Sequence, residues 1–196
     1  MVTATTNITI NPTVVPVTGF SYTTPVCING ANLMPTTVGG FTTGGTYSST
    51  AGLSLNAATG EITLSTSTAG TYTVTYTVPA TVCGPVGTST FTITITAVPT
   101  ASISYGTPFC TDNAAAQGVT LSGTGAYTGG TYTSTVGLTI NAATGAITPS
   151  TSTPGTYTVT YTIPASGGCA AVPVMTSVTI TALPTASISY AGSPYC

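Results

Sequence analysis

The feature that most constrains this chain is that it repeats itself. Gly44-Gly45-Thr46-Tyr47 returns as Gly129-Gly130-Thr131-Tyr132, an offset of 85 positions. The match continues through Gly52-Leu53 and Gly137-Leu138, and through Asn56-Ala57-Ala58-Thr59-Gly60 and Asn141-Ala142-Ala143-Thr144-Gly145. It closes with Gly70-Thr71-Tyr72-Thr73-Val74-Thr75-Tyr76-Thr77 against Gly155-Thr156-Tyr157-Thr158-Val159-Thr160-Tyr161-Thr162. A period of this length is a domain-sized module, and it is read before any single residue.

A second marker sets the frame. A Pro, a short strand ending Ser-Tyr and a Pro-X-Cys occur as Pro16…Tyr22…Cys27, Pro99…Tyr105…Cys110 and Pro184…Tyr190…Cys196. Residues 1–15 are then expected to be the last strand of a preceding module, 16–98 and 99–183 two full modules, and 184–196 the first strand of a following one. A chain framed in this way is expected to be an excerpt from a longer array.

Within the module the pattern is that of β-strands. Tyr72, Val74, Tyr76 and Val78 alternate with Thr71, Thr73, Thr75 and Thr77, and Phe91, Ile93 and Ile95 with Thr92, Thr94 and Thr96. One apolar and one hydroxyl face suits an antiparallel strand covering a core on one side. Asn56-Ala57-Ala58-Thr59-Gly60 and Thr68-Ala69-Gly70 read as turns. In the second module strands are expected near 101–105, 118–122, 130–135, 138–141, 146–150, 156–163 and 175–182. Seven short strands in about 85 residues predict tandem immunoglobulin-like antiparallel β-sandwiches, an all-β class.

Charge excludes whole classes of function. Among 196 residues there is no Lys, Arg or His, and Glu61 and Asp112 are the only acids. Nucleic-acid binding needs cations against phosphate, so none is expected. Catalysis by a general acid or base draws mainly on His, Glu, Asp or Lys, so the chain is not expected to be an enzyme, and no catalytic residue, cofactor or metal is assigned. No apolar run is long enough to span a bilayer, so no membrane insertion is expected. Residues 1–5 lack the features of a signal peptide.

Five cysteines in such a chain point to an oxidising, extracellular setting. One pairing stays within modules, Cys27 with Cys83 and Cys110 with Cys169, and leaves Cys196 unpaired in this segment; it is the preferred one. The other joins Cys83 to Cys110 and Cys169 to Cys196, both 27 positions apart. If every strand runs the full height of a module, Cys27 and Cys83 lie at opposite ends, which counts against the first. Zinc is disfavoured because no Cys-X-X-Cys and no His occur.

Other candidates weigh less. The tyrosines Tyr72, Tyr76, Tyr157 and Tyr161 suit sugar stacking, but they share a face with Val and are expected in the core. Calcium needs six or more oxygens, and Glu61 becomes Ala146 in the next module. The Thr rows suit an ice-binding face, but a solvated strand face is the simpler expectation. Loop 111–117 is the one weak candidate for a specific site, and Asn7-Ile8-Thr9 is a lone sequon.

The run 52–63 followed by 70–77 resembles bacterial immunoglobulin-like or cadherin-like adhesin repeats. With the cysteines and the Thr-rich face it is most similar to tandem repeats of giant cell-surface adhesins of Bacteroidota, including the gliding-motility type. The resemblance implies type IX secretion to the cell surface and a stalk or filament shaft in attachment or gliding. Its partners would be neighbouring modules, other filaments, surfaces or polysaccharide. A fibre subunit polymerising by β-strand exchange, with 1–15 as the donated strand, is the alternative; an ice-binding or glycan-binding module is a lesser one.

Overall fold

A computed structural model of the chain describes residues 12–192. It divides into two units. The first runs to Val98 and takes in Gly167–Ala170; the second comprises Pro99–Ser166 and resumes at Ala171. Among the described residues there is no α-helix.

The first unit contains β1 (Phe20–Ser21), β2 (Val26–Cys27), β3 (Thr36–Thr37), β4 (Thr46–Ser49), β5 (Gly70–Val78) and β6 (Gly87–Thr96). The second contains β7 (Thr100–Ser104), β8 (Phe109–Cys110), β9 (Thr120–Thr124), β10 (Thr131–Ser134), β11 (Gly155–Ile163) and β12 (Val172–Thr181). The topology is the same twice. One sheet has the order β4-β5-β6-β2 or β10-β11-β12-β8, and the other pairs β1 with β3 or β7 with β9.

Three antiparallel strands thus carry a short parallel strand on their outer edge, with Val26 opposite Ile95 and Phe109 opposite Ile180. The opening strand of each unit is split between the two sheets, its halves separated by a cis Thr-Pro bond at Thr24-Pro25 and Thr107-Pro108. Two packed sheets with the three-stranded face built from the middle and last two strands form an immunoglobulin-like sandwich.

The alternating faces drive this arrangement. In β5 the side chains of Tyr72, Val74, Tyr76 and Val78 are buried, as are Tyr157, Val159, Tyr161 and Ile163 in β11. They join Ile62, Leu64, Ile93 and Ile95 in the first core, and Ile147, Val178 and Ile180 in the second. Each unit therefore closes a hydrophobic core of its own.

Local differences from the sequence expectation have simple causes. The segments 138–141 and 146–150 shrink to an isolated bridge between Ile140 and Ile147, and Pro149–Thr151 forms a 3-10 turn. Pro149 has no N–H for a ladder. The two-residue strands β2 and β8 are too short to show alternation. Residues 12–15 are not in a strand, although Val14 N–H donates to Cys83 O at 3.1 Å; the rest of the expected donor segment, 1–11, and the sequon at Asn7 lie outside the described residues. Residues 184–192 likewise form no strand, and 193–196, with Cys196, lie outside the described residues.

Candidate functional site

The tyrosines expected in the core are there, and each also holds a loop by its hydroxyl. Tyr76 Oη donates to Thr42 O at 2.9 Å and accepts from Gly45 N–H at 2.9 Å. Tyr161 Oη donates to Tyr127 O at 2.7 Å and accepts from Gly130 N–H at 2.9 Å. Tyr72 and Tyr157 donate to Thr68 O and Thr153 O. Tyr22 donates to Gly60 O at 2.6 Å, and Tyr105 to Gly145 O at 2.7 Å.

The repeated Gly-Gly follows from this. A Cβ on Gly45 would stand 2.5 Å from Thr77 O and 2.6 Å from Tyr76 Cζ; one on Gly130 would stand 2.2 Å from Thr162 O. The motifs that define the repeat are thus spent on packing. A buried Tyr offers no open ring to a sugar. Burial raises the Tyr105 phenol to about 12, with Tyr132 adding to the rise. Burial also holds the Tyr22 phenol above its usual range, helped by Tyr47.

The acidic candidates do not come together. Glu61 accepts from Asn32 Nδ2 at 3.0 Å, and Asp112 is exposed in the 111–117 loop. That loop uses its own polar groups: Ala115 N–H donates to Asn113 Oδ1, and Gln117 Nε2 to Ala115 O. Among the described residues no three His, Cys, Asp or Glu side chains gather as metal ligands would. An open hollow of about 300 Å³ lies beside Met34 and Phe41, but Phe41 is stacked on Tyr76 at 4.7 Å. Its wall carries no charge.

The outward faces carry hydroxyls, and many of these pair across strands. Thr71 bonds Thr94 at 3.2 Å, Thr156 bonds Thr179 at 3.3 Å, Thr100 bonds Thr124 at 2.7 Å and Ser102 bonds Ser122 at 2.8 Å. These are neutral cross-strand pairs where other sheets place opposite charges.

The cysteines depart from expectation. The bond is Cys27–Cys169, 142 positions apart, with the Cα atoms 4.6 Å apart. Cys83 and Cys110, expected to pair with Cys27 and Cys169, are free and half-buried, and neither 27-residue pairing that the alternative required is formed by them. The reason is the placement of the loop between β11 and β12, whose residues Gly167–Ala170 belong with the first unit. Gly168 has φ +80°, and a Cβ on it would fall 2.5 Å from Pro25 O. Only glycine lets this loop lie against Pro25-Val26 and bring Cys169 onto Cys27. Cys169 Sγ also lies 3.6 Å from Ala97 O. The Gly167-Gly168-Cys169 triplet was the available signal, but nothing in the sequence says which backbone the loop approaches.

No protein-family model matches the chain, and no curated protein does. Solved structures similar to it include a SusE-like surface-located polysaccharide-binding protein, BT4661, from the heparin utilisation locus of Bacteroides thetaiotaomicron. That match has 20% identity over 85% of this chain and 34% of that one, with a TM-score of 0.34. Sidekick-1 immunoglobulin domains 1–4 match at 11% identity over 80% of this chain and 46% of theirs, with a TM-score of 0.41. Extracellular domains 3–5 of Drosophila OTK match at 12% identity over 83% and 59%, with a TM-score of 0.37. The chain therefore spans about a third to three-fifths of the length of these structures. No helix among the described residues is long and apolar enough to cross a membrane.

Proposed function

We propose that this chain is a length of the shaft of a large, secreted, cell-surface adhesive protein built from tandem sandwich modules, and that it is not an enzyme. One observation carries the reading. The residues that recur at the 85-residue offset are the ones the fold consumes: the Tyr clamps, the glycines beneath them and the Asn turns, where Asn56 Oδ1 accepts from Ala58 and Thr59 N–H and Asn141 Oδ1 from Ala143 and Thr144 N–H. What is copied from module to module is a fold and a hydroxyl-bearing surface, with no charged or metal-binding constellation.

Such a surface acts through number. Rows of Thr and Ser hydroxyls offer weak hydrogen bonds to polysaccharide, to other filaments or to solid surfaces, and many modules in one chain add them up. The absence of Lys and Arg removes every trypsin-type cleavage site, which suits an extracellular location. The finer placement, in a gliding-motility adhesin of Bacteroidota exported by the type IX system, rests on the sequence resemblance.

The test is the denatured, reduced mass of the native polypeptide that carries this sequence. A mass many times the 19.2 kDa of this chain supports the shaft. A mass near 19.2 kDa would overturn it and put a strand-exchanging fibre subunit in its place.

A further inference from the structure

Cys27 and Cys110 occupy the same place in the two units. Each ends the short parallel strand on the edge of the larger sheet, Cys27 opposite Thr96 and Cys110 opposite Thr181. Cys169 and Cys83 also share a place, the loop between the last two antiparallel strands. The observed bond joins one member of each class, and it joins residues 142 positions apart, from Pro-X-Cys in one repeat to the loop cysteine in the next. Among the described residues, Cys83 and Cys110 are the two left over, one from each class.

From this we infer that Cys27–Cys169 is one link of a running series. Cys110 bonds the loop cysteine of the module that follows, and Cys83 bonds the Pro-X-Cys cysteine of the module that precedes. The inference rests on the tandem-array reading above. The bonding chemistry is ordinary. Two thiols lose two protons and two electrons, the sulfurs join, and the disulfide of a thiol–disulfide oxidoreductase takes up the two electrons and two protons and becomes a dithiol.

The two loops are not identical. Cys169 follows Gly167-Gly168, whereas Cys83 follows Val82 in Thr81-Val82-Cys83-Gly84. Val82 is fully exposed, so its side chain is not held in the first unit's core. Cys83 is half-buried and therefore reachable by a partner sulfur.

The experiment is disulfide mapping of the native polypeptide. Free thiols are alkylated under denaturing, non-reducing conditions. The chain is cut with chymotrypsin or thermolysin, since trypsin has no site, and linked peptides are identified by mass spectrometry. The expected result is Cys27 joined to Cys169, Cys110 joined to a cysteine of a further repeat about 142 positions on, and no alkylated Cys83 or Cys110. A polypeptide of many repeats in which Cys110 is alkylated, or joined to Cys83, Cys169 or Cys196, overturns the series and leaves the shaft standing. A polypeptide without further repeats overturns both.

Discussion

Tyr161 and Tyr127 are joined by a 2.7 Å hydrogen bond from the buried phenol of the first to the backbone carbonyl of the second. The same phenol receives Gly130 N–H, so one hydroxyl satisfies two backbone groups of the segment leading into β10. Tyr161→Phe keeps the ring in the core but strands both groups. An unsatisfied buried group costs about 1–3 kcal/mol. Denaturant unfolding should show a loss in that range for Tyr161→Phe, and a similar loss for Tyr76→Phe. An unchanged midpoint would mean that water replaces the clamp.

Gly45→Ala should also destabilise, for a different reason. The new methyl meets backbone at Thr77 O, which cannot rotate away. Overpacking of this kind costs about 1–3 kcal/mol. Gly39→Ala is the control, because a Cβ there meets nothing within 4 Å. Thermal melts of the two variants should separate cleanly.

In the 196-residue chain taken alone, where Cys83 is free, Cys169→Ser should lower stability and Cys83→Ser should not. The chain-entropy treatment assigns a loop of 142 residues about 5 kcal/mol. Calorimetry with and without reductant should reproduce the Cys169→Ser shift in the parent chain and show no further shift in the variant. If Cys83→Ser gave the larger loss, Cys27 would be bonded to Cys83.

Alkali should weaken the fold over a defined window. A phenol is neutral when protonated, and burial holds Tyr105 protonated up to about 12, against 10.0 in the unfolded chain. Between those values the unfolded state binds fewer protons, so stability is full below pH 10 and falls as pH rises toward 12. Tyr22, shifted in the same direction, adds to the loss. Tyrosinate absorbance should therefore rise together with unfolding, and Tyr105→Phe should flatten the pH dependence of the melting midpoint in this window.

Salt should do little. With no cation in the chain there is no side-chain ion pair to screen. The melting midpoint should not fall as sodium chloride rises, and retention on a polysaccharide or hydrophobic surface should survive high salt. Elution by modest salt would point to a charged partner engaging Glu61 or Asp112.

The long strands were legible because alternation over nine or ten residues has one reading, as in β5, β6 and β11. The burial of Tyr72 and Tyr76 followed from the Val between them. The hydroxyl anchors did not, because Tyr76 reaches Thr42 across 34 positions and Tyr22 reaches Gly60 across 38. Strands β2 and β8 escaped notice because two residues hold no period. Cysteine pairing was the least legible. Spacing constrains chain length but not direction, and the decisive contact is a glycine backbone against Pro25-Val26.

The Cys27–Cys169 bond also changes what happens when the chain is pulled. Tension entering before residue 27 crosses the sulfur bridge and leaves after residue 169, so the 141 residues between them carry none of it. At roughly 3.4 Å per extended residue, about 480 Å of contour stays hidden until the bridge is reduced. A polymer with links of this kind would lengthen only through the stretches between one bridge and the next, and reductant would be what releases the rest.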